Sequence, residues 1–168
     1  MAIRITARTA ACLASLLFVG VTANAADAPS GGQPSPLLGA WSLDTSRLPM
    51  PPDQRPRSVR FSFADAGASR WTIRVDIVYS PGQEVHSIAT ATLDGTPAPV
   101  DSSPEADHVQ LRQPVPNVLV MALMKGGVLM STRVYSASPD GRHLVETAVY
   151  PGQNGVAVIK PAYFDRAR

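Results

Sequence analysis

The sequence predicts an all-β fold, an up-and-down antiparallel meander of about nine strands that closes into a barrel. Three observations predict it. Apolar and polar residues alternate along most of the chain after Leu37, the links between the alternating runs are short, and no amphipathic helix is evident. A sheet with one apolar face and no covering helix must curl onto itself, and closure removes its free edges. A two-sheet β-sandwich is the alternative.

The predicted strands are separated by turn residues. They cover residues 39–43, 58–64, 71–79, 84–93, 108–112, 117–124, 128–136, 142–150 and 156–164. Short links such as SPGQ and SPDG join neighbouring antiparallel strands. Two segments interrupt the pattern: a loop over 45–56 whose prolines resist strand pairing, and a longer excursion over 94–107.

The most apolar stretch, NVLVMALMKGGVLMSTRVYS, contains a hairpin turn at Gly126 and Gly127. Glycine tolerates the positive φ that a two-residue turn requires. The hairpin places Leu123 opposite Met130 and Met121 opposite Thr132. These side chains are therefore predicted to face the barrel interior.

A turn at 139–140 extends the same predicted interior to the next strand. It places Thr132 opposite Thr147, so Thr147 also faces inward, and this agrees with the first hairpin. On the reverse face Arg133 meets Glu146, a pair of opposite charges directly across the ladder. A third hairpin, around residues 66–68, places Trp71 inward.

The N-terminal residues predict a signal peptide, residues 1–25. Arg4 and Arg8 precede the apolar run AACLASLLFVGV, and Ala23 to Ala25 form a small-residue cleavage site. The run is shorter than the ~20 residues that span a bilayer, which favours export to the periplasm or beyond over a membrane anchor. Residues 26–36 are predicted to be a flexible Pro/Gly/Ser tether, and residues 37–168 the barrel domain.

Charge and cysteine usage exclude several classes of partner. Two of the 15 basic residues lie in the predicted signal peptide and all 13 acidic residues follow it, so the exported chain is neutral. It has no block of like charge, which argues against nucleic acid or an anionic membrane surface. Cys12, the only cysteine, also lies in the signal peptide, so no disulfide or thiolate metal site is expected.

Several segments resemble known secreted barrels. The Gly39-Ala40-Trp41 sequence is similar to the G-x-W that opens lipocalins and related calycin barrels, and Arg166 or Arg168 could match the arginine that packs over that tryptophan. The segments GAWSLDTSR, LDGTPAPVDSSPEADHVQL and KGGVLMSTRVYSASPDGRHL resemble small secreted bacterial lipocalin-like proteins of unassigned activity. The resemblance implies a lipocalin-like barrel with room for a small apolar ligand.

No catalytic motif stands out in the sequence. It has no G-x-S-x-G elbow, H-E-x-x-H, phosphate loop or dinucleotide fingerprint, so no enzyme activity and no cofactor are expected. Glu84 and His86 share one strand face, but a metal site needs a third ligand, and His86 falls opposite Ile77 on the apolar side. Acidic residues in the 94–107 excursion are expected to be solvated loop charge.

The predicted interior suggests a ligand site. One hypothesis is that Lys160 receives the polar head of a ligand whose tail lies against the apolar wall; the alternative is that Lys160 extends to solvent at the rim. The candidate ligand-binding residues are Trp71, His86, Met121, Met130, Thr132, Thr147 and Lys160.

Two functions follow from these features. The first is a non-enzymatic exported binding protein for a small apolar or amphipathic ligand. The second is a protein-interaction module of the cell envelope, because an apolar patch is predicted on the outer face; a homodimer would also bury that patch. The residues assigned to the patch are Val118, Val120, Met124, Leu129, Tyr135, Leu144 and Tyr150.

Overall fold

The computed structural model describes residues 34–167, which form an all-β closed barrel of ten antiparallel strands. The strands are β1 Gly39–Leu43, β2 Ser58–Asp65, β3 Arg70–Ser80, β4 Gln83–Thr92, β5 Ala98–Asp101, β6 His108–Val115, β7 Val118–Lys125, β8 Val128–Ala137, β9 His143–Tyr150 and β10 Val158–Arg166. Each strand pairs with its neighbours in sequence, and β1 pairs with β10 to close the barrel. The predicted up-and-down barrel is confirmed, and the sandwich alternative is wrong.

Strand β5 is the element that the sequence pattern did not predict. It lies within the 94–107 excursion and pairs with β4 through Ala89 and Val100 and with β6 through Ala98 and Val109. Prolines at 97 and 99 conceal it, because a proline has no N–H to donate to a ladder. Only four residues long, β5 nevertheless completes the ring of hydrogen-bonded strands.

The remaining described residues form loops and three short 3₁₀ helices, Thr45–Arg47, Pro52–Gln54 and Gln153–Gly155. Between residues 34 and 167, no helix has the length and apolar character needed to cross a membrane. The predicted signal peptide over 1–25, Cys12 within it, and residues 26–33 of the predicted tether lie outside the described residues.

One end of the barrel is filled by large side chains around Trp41. The Trp41 ring is fully buried, its Nε1 donates to the Leu37 carbonyl at 2.8 Å, and the Arg166 guanidinium stacks 3.8 Å from its centroid. Gly39 has a φ of 111°, and a Cβ there would meet the Arg166 guanidinium at 2.6 Å, so only glycine fits. We call this the closed end.

The inward faces of β2, β3 and β7 are those that the sequence predicts. Phe61, Phe63, Trp71 and Met121 are buried. The β2–β3 pairing differs from the predicted register by two residues, since Phe63 lies opposite Ile73 rather than Trp71. A two-residue shift preserves the faces because side chains alternate with a period of two.

The inward face predicted for β8 is wrong. Lys125 pairs with Val128 as predicted and Met124 pairs with Leu129, but Leu123 then pairs with Ser131, leaving Met130 as an extra residue. Such a β-bulge reverses which side chains face the core beyond it. Met130 and Thr132 therefore lie on the outer face, whereas Ser131, Arg133, Tyr135 and Ala137 point inward.

The inward face of β9 is also the opposite of the predicted one. Val134 lies opposite Thr147, and these two side chains share the outer face. Leu144 and Glu146 instead point inward and are buried. Thr147 is therefore not an interior residue, because its predicted face was inherited from the register assigned to β8.

His86 also lies on the outer face, contrary to the prediction. The β3–β4 ladder is irregular between Val78 and Ser80, so that Tyr79 is an extra residue. His86 is opposite Asp76 rather than Ile77, and its side chain is 54% exposed. A bulge close to the turn is again the physical reason.

Candidate functional site

A cavity of about 360 Å³ occupies the other end of the barrel, which we call the open end. Along each strand its lining stops short of the closed end. On β2 it includes Val59 and Phe61 but not Phe63, and on β9 Ala148 and Glu146 but not Leu144. The cavity thus lies directly above the packed aromatic layer, and most of its wall is aliphatic or aromatic.

Two loops, together with the residues at the open end of several strands, surround the cavity mouth. The β1–β2 loop contributes Leu48, Pro49 and Met50, and the β5–β6 loop contributes Ser103 to Glu105. Met50 and Tyr79 line the cavity and are 38% and 47% exposed, so this end of the cavity is open to solvent. A ligand can therefore enter without separating any two strands.

A charged cluster stands on the inner wall of this cavity. The Arg133 side chain is 11% exposed, and its Nη1 lies 3.7 Å from Oε1 of Glu146, whose side chain is 8% exposed. Arg133 Nη2 donates to Oε2 of Glu105 at 2.5 Å, and Nε donates to the Ser131 hydroxyl at 3.4 Å. Buried charges in proteins are paired because an isolated one is costly.

The environment of the cluster keeps Arg133 charged. Burial acts to lower the pKa of Arg133, but the electrostatic influence of the acidic groups of Tyr135, Glu146 and Glu105 outweighs it and raises that pKa. Burial raises the pKa of Glu146 above its usual range, against the attraction of Arg133. The cavity wall therefore carries the positive charge of Arg133 beside the carboxyl group of Glu146, which ionises less readily than an exposed one.

Two tyrosines complete the cluster. Burial raises the pKa of Tyr135 well above 10.0, with further influence from the charges of Glu146 and Arg133, and its hydroxyl makes no hydrogen bond within normal geometry. Burial also raises the pKa of Tyr150, which lines the cavity near the mouth. The Lys160 Nζ lies 5.4 Å from the Tyr150 ring centroid.

Glu105 reaches Arg133 from a loop whose other residues are held in place. Lys125 Nζ donates to the Pro104 carbonyl at 2.6 Å, and Gly126 N donates to the Asp107 carboxylate at 2.8 Å. Ala106 is 3% exposed, which anchors the loop next to Glu105. The Glu105 side chain itself is 57% exposed, so it is the movable part of this segment.

Outside the cavity, the histidine side chains contact nearby carboxylates in small, separate groups. His86 Nδ1 lies 2.7 Å from Asp76 Oδ1 and its Nε2 lies 3.2 Å from Glu84 Oε2, so both ring nitrogens are occupied. Hydrogen bonds to Asp76 and then to Glu84 raise the pKa of His86 above 6.5. Among residues 34–167, no three histidine, cysteine or acidic side chains are grouped to hold a metal ion.

Comparison with known proteins identifies no relative. No family model matches the chain, and neither a curated protein nor a solved structure does. The assignment of a function therefore depends on the cavity and its side chains.

The structure brings together two of the seven residues predicted for a ligand site. Met121 and Lys160 line the cavity, Lys160 as an exposed residue at its rim. Trp71 points inward but packs against Phe63 at the closed end, with ring centroids 6.2 Å apart. The other four predicted residues lie on the outer face of the barrel: His86, Met130, Thr132 and Thr147.

The sequence prediction missed the residues that carry the polar chemistry of the cavity. Arg133 and Glu146 were recognised as a pair but assigned to the outer face, and Glu105 was assigned to solvated loop charge. A buried ion pair on two adjacent strands leaves a signal, since opposite charges stand close across the ladder. The signal does not reveal which face of the sheet holds the pair.

Proposed function

We propose that the protein is an exported, non-enzymatic binding protein for a small apolar or amphipathic molecule held inside the barrel. The observation that carries this proposal is the cavity of about 360 Å³, with an apolar wall and a mouth open to solvent. Ligand sites in proteins are concave, mostly apolar and furnished with a few polar groups that orient the ligand. The cavity has each of these properties.

The cavity volume limits the size of the ligand. It stands near the lower end of the ~300–1,000 Å³ range of ligand pockets. At about 30 Å³ for each atom of the size of a water oxygen, it accommodates roughly a dozen non-hydrogen atoms. A molecule such as 1-decanol, with one polar atom and an unbranched chain, matches this volume.

The test is an isothermal titration of the protein with 1-decanol, in the wild type and in two matched variants. Ala148→Phe adds a ring to the cavity wall, since Ala148 is 2% exposed and lines the cavity. Ala122→Phe adds the same ring to the outer face of β7, where Ala122 is half-buried. We expect Ala148→Phe to weaken binding at least about tenfold and Ala122→Phe to leave it within about twofold.

Thermal unfolding of both variants controls for loss of the fold. Equal binding by folded wild type and folded Ala148→Phe would contradict a site in the cavity. Native mass spectrometry of protein purified without denaturation supplies an independent readout, because a resident ligand adds a discrete mass that Ala148→Phe should remove.

A second candidate function is an envelope interaction module that uses an outer apolar strip. The strip comprises Leu129, Met130, Val156 and Ile159, of which Val156 and Ile159 are 69% and 64% exposed. Strands β8 and β10 run in the same direction on either side of β9, so both halves of the strip lie at the open end. Contiguous exposed apolar surface is typical of interaction sites.

The strip differs from the predicted outer patch, because Tyr135 and Leu144 of that patch are buried inside the barrel. Sedimentation velocity over a range of concentrations tests the candidate, and it also tests the predicted homodimer. Association that is abolished by Ile159→Glu, together with no decanol binding, would favour the interaction module over the carrier.

A further inference from the structure

We infer that the ligand is a carboxylic acid with an unbranched apolar chain, that Arg133 binds its carboxylate, and that the Glu105 carboxylate occupies this position when the cavity is empty. This inference depends on the proposed function, since it assigns the ligand of the same cavity. It goes further by assigning one residue of the chain as a resident competitor of the ligand.

Arg133 has the geometry of a carboxylate-binding group. Its guanidinium lies in the cavity wall, and its Nη1 lies 3.7 Å from Oε1 of Glu146, beyond the length of a hydrogen bond. Arginine binds a carboxylate through two parallel N–H donors, and such charge-assisted hydrogen bonds are the strongest in proteins. The guanidinium can therefore receive an anion that enters along the cavity axis.

Glu146 alone does not satisfy Arg133. Its contact exceeds the length of a hydrogen bond, and its burial disfavours the ionised form. The close contact of Arg133 is the one with Glu105, at 2.5 Å. A second carboxylate is thus needed at this point, and the chain supplies it from a loop at the mouth.

Glu105 can leave without disturbing the barrel. It is more than half exposed, and the loop on either side of it is held by Lys125, Ala106 and Asp107. Rotation of the Glu105 side chain into solvent frees the guanidinium while the loop backbone stays in place. A ligand carboxylate then restores the same contact with the same charge, so the exchange leaves no buried ion unpaired.

Lys160 is the competing candidate for the head-group site. It stands at the rim, is exposed, and its ammonium faces the Tyr150 ring. Two charges attract each other more strongly in a low-dielectric interior than in water, so the buried Arg133 gives the greater discrimination. The position of Arg133 on the wall also leaves the apolar surface around Val75, Ala89 and Phe164 for the chain of the ligand.

The experiment is an isothermal titration with sodium decanoate and 1-decanol, which share a ten-carbon chain and differ in the head group. We expect the wild type to bind decanoate more tightly than decanol. Glu105→Gln should tighten decanoate binding by about three- to tenfold, because it removes the competing carboxylate, and should thereby increase the preference for decanoate over decanol. Asp101→Asn, which removes an outward-facing carboxylate near the same loop, should change decanoate binding less than about twofold.

The double variant Arg133→Met/Glu146→Met tests the receiving group. Replacing both partners of a buried pair by apolar residues avoids an unpaired charge, and circular dichroism verifies the fold. We expect this variant to lose the preference for decanoate over decanol. The titration of Glu105→Gln still tests the inference if the double variant fails to fold.

The outcomes separate this inference from the proposed function. If neither decanoate nor decanol binds the wild type, the proposed function is wrong. If both bind with equal affinity, or if Glu105→Gln leaves decanoate binding unchanged or weaker, the cavity remains a ligand site and the carboxylate inference is overturned.

Discussion

The two ends of the barrel share the same strands but differ in the size of the side chains that point inward. On β9 the closed end holds Leu144 and the open end Ala148; on β2 the closed end holds Phe63 and the open end Val59. The backbone ladder continues through both ends. The cavity therefore results from a decrease in side-chain volume along continuous strands, not from a gap between them.

The inward-facing side chains also become more polar from the closed end to the open end. The closed end is aromatic, with Phe61, Phe63 and Tyr135 in mutual ring contact at 5.5 to 6.3 Å between centroids. The open end places Arg133 and Glu146 on the wall. We propose that one end supplies stability and the other recognition, and the following predictions test that division.

The largest expected effect is at the closed end. Trp41→Ala should lower the free energy of unfolding by about 3–5 kcal/mol, because it empties a fully buried site and removes the surface on which Arg166 stacks. Equilibrium unfolding in urea measures this value. A loss below about 1 kcal/mol would show that the closed end is not the stabilising half.

A matched pair of small-to-large substitutions compares the two ends directly. Ala137→Phe at the closed end should cost about 1–3 kcal/mol, since Ala137 is 3% exposed and does not line the cavity. Ala148→Phe should cost less, because the added ring enters the cavity. Equal urea midpoints for the two variants would contradict a packed closed end.

The next effect concerns the arginine that covers Trp41. Arg166 Nε donates to the Gly141 carbonyl at 2.9 Å and Nη2 to the Pro36 carbonyl at 2.5 Å. Arg166→Met should lower the free energy of unfolding by about 1–2 kcal/mol through lost hydrogen bonds and stacking. The exposed Arg142→Met is the control and should stay within about 0.5 kcal/mol.

The smallest expected effect is on the outer surface of the open end, at His86. Its pKa is raised, so the contribution of its contacts to stability is fully present below pH 6.5 and is lost as the pH rises through the higher pKa of the folded protein. Asp76→Asn should lower the midpoint of the His86 titration observed by NMR. The exposed Asp53→Asn should leave it unchanged, and an unaffected midpoint in Asp76→Asn would exclude the contact.

The sequence pattern predicted the fold well because strand alternation and short links constrain an up-and-down barrel strongly. It missed β5, where Pro97 and Pro99 mask the alternation. It also predicted the inward faces of β2, β3 and β7, where the two sides of the strand differ clearly in polarity. These elements depend on local pattern alone, which a sequence displays directly.

The candidate site was predicted less well because it depends on register. The bulges at Tyr79 and Met130 have no clear sequence signature. The first places His86 of β4 opposite Asp76 rather than Ile77, and the second reverses every later face on β8. Agreement between the two predicted hairpins did not detect the error, since both assigned β8 the same face. Met121 and Lys160 keep their predicted inward faces and line the cavity.

The extra residue in β8 also determines which side chains of that strand face the cavity. Deleting the codon for Met130 would remove the extra residue and keep Ser131 opposite Leu123, so Arg133 and Tyr135 would still point inward from a regular ladder. That shorter chain would keep Arg133, which among the described residues is the only arginine that lines the cavity. In a chain of unchanged length, loss of the bulge would instead place Met130 opposite Leu123 and turn Arg133 and Tyr135 to solvent, so the bulge is the feature that brings a buried charge to the cavity.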